Sequence, residues 1–284
     1  METRNKGLLL SLIGVIIISP DSLLIRLANI DDLSLIFYRS ALPIITILIF
    51  LIYNYQKSFI KSFFLIGLPG VIYAILYAIT HICFVYSIQN TAVANTLVLI
   101  ASAPIFAALF SVFILKEIPS FFTWIVIFIA LLAMIIIGIG SFTSTGLYGD
   151  IMALIVAAGM GFSMVLVRLF KNKDLVPACL LGCLIAALYT LPFGVNFNID
   201  QNQIFYLLLM CLLILPIPFM ILTIAPKYTP AHEVALIFLM ESVLGTAWVW
   251  FVINEVPPIN TIIGGVLLLG SVSIFIYQTT KKIT

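Results

Sequence analysis

Residues 7–27 read GLLLSLIGVIIISPDSLLIRL, and residues 149–169 read GDIMALIVAAGMGFSMVLVRL. Each stretch is about twenty mostly apolar residues, enough at ~1.5 Å per residue to cross the hydrocarbon core of a bilayer. Each opens on a glycine, Gly7 or Gly149, and closes on an arginine and a leucine, Arg26-Leu27 or Arg168-Leu169, at an offset of 142. The next apolar stretch follows an aspartate–leucine pair in both places, Asp32-Leu33 and Asp174-Leu175. Further on, Leu115-Lys116-Glu117-Ile118-Pro119 matches Ile253-Asn254-Glu255-Val256-Pro257 at an offset of 138. The chain therefore reads as doubled, with repeats over 1–141 and 142–284.

Working outward, the hydropathy pattern gives ten spans: 7–27, 33–53, 62–86, 91–114, 121–140, 149–169, 176–195, 203–225, 231–252 and 258–278. The expected fold is an all-α membrane protein of two five-helix repeats. An odd number of spans per repeat places the halves in opposite senses across the membrane, the architecture of secondary transporters. Charged residues make up only 8% of the chain, far below the ~25% of a soluble domain, so a soluble fold is excluded. The connectors are too short to hold an extramembrane domain.

Basic residues fix an expected orientation. With the N-terminus cytoplasmic, Arg4, Lys6, Lys57, Lys61, Lys116, Arg168, Lys171, Lys173, Lys227, Lys281 and Lys282 lie inside, leaving only Arg26 and Arg39 of the thirteen basic residues. Asp31, Asp32, Asp150, Asp200 and Glu255 then fall outside. Both termini are expected in the cytoplasm. Asp21 and Arg26 interrupt the first stretch and no small-residue cleavage site follows, so it reads as a span and not a cleavable signal. The net charge of +2 reflects this asymmetry, and no basic run suggests nucleic acid. Cys83, Cys179, Cys183 and Cys211 lie in spans, suited to packing and not to disulfides. No set of residues suggests a metal site or a cofactor.

The segments Thr91-Ala92-Val93-Ala94-Asn95 to Ala103-Pro104 and Lys116-Glu117-Ile118-Pro119 carry a resemblance. So do Glu241-Ser242-Val243-Leu244-Gly245 to Asn254-Glu255-Val256-Pro257, with Gly264-Gly265 beyond. Over essentially its whole length the chain resembles the drug/metabolite transporter superfamily, of the type built from two EamA domains. The resemblance implies a bacterial inner-membrane carrier of small organic solutes, with a cavity lined by spans 1, 3, 4, 6, 8 and 9. One departure stands out: where the family usually has a proline matching Pro104, this chain has Ser242 preceded by Glu241.

Polar residues inside the spans are the functional candidates, because each is costly in lipid unless paired or wet. Asp21, Arg39 and His81 fall at one depth on spans 1, 2 and 3. Asp21 and Arg39 either lock two helices as a fixed ion pair or act as a gate that breaks and re-forms. Glu241 lies near the middle of span 9; it suits proton exchange or capture of a substrate amine, or else hydrogen-bonds across helices. Tyr73, Tyr77 and His81 recur every four residues and form one helix stripe, for packing or for a flat or cationic solute. Trp248 and Asn95 complete the substrate-binding candidates. Pro104, Pro216 and Pro218 each remove an intrahelical hydrogen bond and mark hinges. Glu117 and Glu255, at helix ends, are expected to staple the halves and not to touch solute.

An intramembrane enzyme is disfavoured: His232-Glu233 lacks a second histidine four residues on, and no G-x-S-x-G elbow occurs. Nothing resembles a channel's filter loop. Without a Walker motif, transport would run on a gradient or by exchange. The expected partners are a small-molecule substrate and membrane lipid, with the protein a monomer or homodimer. Both signs of charge among the candidates suit an amino-acid-like zwitterionic or cationic solute.

Overall fold

The computed structural model describes residues 2–91, 93–138, 146–254 and 256–281. Among these residues, ten helical segments are long and apolar enough to span a membrane. Span 1 is Glu2–Ile18 with Asp21–Ala28, and span 2 is Asp32–Ala41 with Pro43–Tyr55. Span 3 is Gly67–Asn90; span 4 joins Val93–Ile100, Ala103–Phe110 and the π-turn Ser111–Leu115; span 5 is Phe121–Gly138. Spans 6 and 7 are Leu147–Leu169 and Val176–Thr190. Span 8 joins Gln201–Leu209, the π-turn Met210–Ile214 and Pro216–Leu222. Span 9 is Ala231–Phe238 with Met240–Ile253, and span 10 is Ile259–Lys281. The boundary expected at 141/142 falls among residues outside the described set. One expected start needs correction: span 3 begins at Gly67, not at 62. Phe59–Leu65 is a separate short helix, and Gly67 at φ +59° turns the chain out of it, a conformation glycine adopts without a side-chain clash.

The packing is that of a doubled fold. Span 3 packs on spans 6 and 7, and span 8 on spans 1 and 2; span 4 packs on span 6, and span 9 on span 1. Exchanging the halves turns each of these pairs into its partner. Spans 4 and 9, 5 and 10, and 2 and 7 pack on each other, and the exchange returns each pair to itself. Two close contacts repeat the relation in atomic detail. A Cβ on Gly7 would lie 2.7 Å from the Thr229 Cβ, and one on Gly149 would lie 2.9 Å from the Thr91 Cβ. Those four residues are two repeat-related pairs.

Five spans are interrupted, and hydroxyl groups serve carbonyls that proline leaves behind. Pro20 has no N–H for the Ile16 carbonyl one turn back; the Ser19 hydroxyl donates to it at 2.9 Å. Pro216 likewise cannot serve the Leu212 carbonyl, which accepts from Thr46 Oγ1 of span 2 at 2.6 Å. Backbone groups with no water to satisfy them need such partners.

The two ends of the bundle differ. On the face that carries both termini (the terminal face), Ala103–Phe110 packs on Ala231–Phe238. On the far face, Met240–Ile253 packs on spans 1 and 10, and among the described residues no comparable packing joins it to Val93–Ile100. Spans 4 and 9 are thus closed at the terminal face and splayed at the far face.

Candidate functional site

The break at Ser19-Pro20 starts a new half-helix at Asp21, and Arg39 lies in the last turn of Asp32–Ala41. An acid at a helix N-terminus and a base at a C-terminus each sit favourably in the helix dipole. The two meet. Arg39 Nη1 donates to Asp21 Oδ1 at 2.7 Å and to Oδ2 at 2.9 Å, and lies 3.5 Å from Met210 Sδ of span 8. Their side chains are only 11% and 8% exposed, so the pair is dry, and a dry pair is held by short hydrogen bonds rather than by charge alone.

Span 9 supplies the second carboxyl group. Its helix breaks at Leu239, so Glu241 falls in the first turn of Met240–Ile253. Here no proline makes the break; Ser242 Oγ instead donates back to the Leu239 carbonyl at 2.8 Å. Ser242 also reaches Met134 Sδ of span 5 at 3.5 Å. Glu241 is within electrostatic reach of both Asp21 and Arg39, and His81 within reach of Arg39. Four titratable side chains from spans 1, 2, 3 and 9 thus form one cluster. Arg39 is already matched by Asp21, which leaves Glu241 as the second acid and His81 as the second base of the cluster.

Aromatic groups wall the cluster on one side. His81 stacks on Tyr77 with ring centroids 4.4 Å apart, and Phe219 of span 8 meets both rings edge-on at 5.1 and 5.4 Å. Cys183 Sγ donates to the Tyr77 hydroxyl at 3.5 Å, and a Cβ on Gly182 would lie 2.7 Å from the Tyr77 ring. Tyr73 is buried one turn away against span 7, beside Cys179. On the opposite flank, Trp248 Nε1 donates to Ser19 Oγ at 2.9 Å and so ties span 9 to the break in span 1.

Of the residues predicted from sequence, Asp21, Arg39, His81, Tyr77 and Glu241 come together, and Trp248 joins them through Ser19. Pro104 is buried at the start of the second half of span 4, and Pro216 and Pro218 are buried in span 8 below the π-turn. The Asn95 side chain and Glu255 lie outside the described residues. Glu117 pairs with Arg168 of the other half. Sequence reasoning missed Ser19, Pro20, Phe219 and the pairing of Arg4 with Glu233. The Pro20 kink was legible in principle, since a proline inside an apolar run marks a break.

Two cavities lie at the faces, away from this cluster. One of about 350 Å³ at the far face is lined by Asn29, Asp31, Asn196 and Gln203 among others. One of about 520 Å³ at the terminal face lies among Arg4, Glu117, Arg168, His232 and Glu233.

Ten spans in two halves related by exchange, five of them broken, with a charge cluster set within the spans between the halves, define a membrane transporter and not an enzyme. The chain belongs to the EamA-like transporter family, whose model matches it twice, over residues 5–139 and 147–277. It is 24% identical over 292 residues to the pseudopaline exporter CntI of Pseudomonas aeruginosa, covering 99% of both chains. It is 26% identical over 231 residues to the transporter YdfC of Bacillus subtilis, covering 78% of this chain and 73% of that one. A solved structure at 14% identity superposes with a TM-score of 0.79 over 95% of this chain and 96% of the other, a likeness of fold.

Proposed function

We propose that the protein is a secondary carrier of small amino-acid-like solutes, zwitterionic or cationic, working by alternating access in a bacterial inner membrane with both termini cytoplasmic. The observation that carries this reading is Glu241 beside a pair that is already neutralised. A carboxyl group at that depth is costly unless a proton or a second cation joins it. It can therefore hold a coupling proton or a solute ammonium, one at a time, which is the elementary requirement of proton coupling or exchange. The Tyr77, His81 and Phe219 rings offer aromatic faces to a cationic group. The splay of spans 4 and 9 at one face and their closure at the other fit one of the two states that alternating access requires. A relative named as an exporter favours outward transport.

The test is Glu241→Gln in vesicles. The variant keeps the volume and hydrogen-bonding capacity but cannot titrate. It should fold, lose accumulation driven by a proton gradient, and lose the competition between protons and solute. Unchanged accumulation with unchanged pH dependence refutes the assignment.

A further inference from the structure

The densest group of charges outside the central cluster lies at the terminal face. Arg4, at the start of span 1, donates through Nε at 3.3 Å and through Nη2 to the Glu233 carboxylate at the start of span 9. Arg168, at the end of span 6, donates to Glu117 beyond span 4 through Nε at 3.0 Å and Nη2 at 2.9 Å. Its Nη1 reaches the Lys227 carbonyl at 3.3 Å. The two pairs form one electrostatic group, since Glu233 feels Arg168 and Glu117 as well as Arg4. His232 lies within reach of both arginines. It is 3% exposed, and its Nδ1 has no hydrogen-bond partner. All five side chains line the cavity of about 520 Å³.

Three features give this cavity a purpose. Each ion pair joins one half of the protein to the other, so the terminal face cannot open until both pairs separate. The four charged residues come from spans 1, 6 and 9 and from the connector just after span 4, and spans 4 and 9 are the ones packed together here and splayed at the far face. The buried His232 Nδ1 is an open polar site, and buried polar atoms are seldom left without a partner. Separating a pair strands two charges unless something replaces each partner. With both pairs apart, a solute carrying an ammonium and a carboxylate can serve one arginine and one glutamate, its carboxylate on Arg4 and its ammonium on Glu117 of the first half. Arg168 and Glu233 of the second half, already in electrostatic contact, then serve each other, and the charge count is unchanged. A solute with only one of these groups leaves a charge uncompensated.

We infer that this cavity is a second binding site, for the ammonium and carboxylate groups of a zwitterionic solute, and that Arg4–Glu233 and Glu117–Arg168 form the gate such a solute unlocks. The inference rests on the zwitterionic reading of the substrate under Proposed function. The site would receive solute from the terminal face and pass it to the Asp21–Arg39–Glu241 cluster.

Thr123 lines the cavity and is 3% exposed, so full-length Thr123→Cys in liposomes reports its opening through reaction with an impermeant thiol reagent. The parent protein, with its four native cysteines, sets the background. The probes are β-alanine, 4-aminobutyrate and 6-aminohexanoate, against butyrate and butylammonium. At least one amino acid of the series should change the labelling rate by about fivefold or more, and the two singly charged compounds by no more than about twofold. Adding Glu117→Gln with Arg168→Gln should raise the basal rate and abolish the response. The swap Glu117→Arg with Arg168→Glu should restore slow labelling, which shows that a fast rate reflects the gate and not misfolding. Equal responses to butyrate or butylammonium, no response to any amino acid, or slow labelling in the neutral double variant overturns the inference. Vesicle transport of the same amino acids separates the two readings. Transport without a Thr123→Cys response refutes the second site alone, and a response without transport refutes the proposed substrate class while leaving the site.

Discussion

Asp21→Asn should destabilise the protein sharply, and Arg39→Gln in the same molecule should return much of the loss. In the native pair one arginine nitrogen serves both carboxylate oxygens, at 2.7 and 2.9 Å, with both side chains about nine-tenths out of contact with solvent. Removing one member of such a pair costs about 3–5 kcal/mol, because the other charge stays buried without a partner. Among the described residues Arg39 Nη1 otherwise meets the Met210 thioether at 3.5 Å, which cannot neutralise it, and Glu241, though within electrostatic reach, accepts no hydrogen bond from it. Removing both charges leaves two neutral amide groups, the glutamine shorter than the arginine it replaces, and should cost only about 1–2 kcal/mol. At roughly 2 °C per kcal/mol for a chain of this length, the single variant should lose about 6–10 °C in Tm and the double variant about 2–4 °C. Thermal unfolding in detergent, followed through the three tryptophans, measures all corners of the cycle. A double variant that loses the sum of the two single losses would show that the residues are uncoupled and refute the reasoning.

Three more outcomes are expected. Gly161→Ala should cost about 1–3 kcal/mol, since its Cβ would lie 2.7 Å from the Ala107 backbone nitrogen; Gly270→Ala, with nothing within 4 Å, is the control, and equal Tm values for the two would refute the close-packing argument. Thr46→Val removes the donor to the Leu212 carbonyl and should cost about 1–3 kcal/mol, read as an earlier unfolding midpoint; an unchanged midpoint means that carbonyl has another donor. For the proposed orientation, reporters fused after Lys61 and after Asp200 should give cytoplasmic and periplasmic signals respectively, and identical signals would sink it.

The spans, their number and the doubling were legible because they depend on averages over about twenty residues, where one charge or proline hardly matters. The central cluster was legible for a related reason. Asp21, Arg39, His81 and Glu241 are rare residues in an apolar background, and depth along a helix is fixed by the rise per residue. Depth does not give rotation about the helix axis. Tyr73 and Tyr77 share a stripe, yet Tyr77 stacks on His81 while Tyr73 packs beside Cys179 on span 7. Nor does sequence order show which helices meet: Arg4 and Glu233 lie 229 positions apart. Their meeting depends on how spans 1 and 9 cross. A faint signal existed, because Thr229-Pro230-Ala231-His232-Glu233 stands at an offset of 138 from Thr91-Ala92-Val93-Ala94-Asn95.

The Gly7–Thr229 and Gly149–Thr91 contacts bear on what sets the resting population of states. If the two halves were chemically identical, exchanging their conformations would return the same molecule upside down. The two openings would then be equal in free energy and equally occupied. Packing honours that equivalence; the charges do not. At the repeat offsets Asp21 corresponds to Ser163, Arg39 to Leu181 and Glu241 to Ala103. The degeneracy is lifted by a few polar side chains, and a bias of about 1.4 kcal/mol already shifts the ratio tenfold. Substitutions at those positions should therefore tune directionality while the scaffold that moves stays the same.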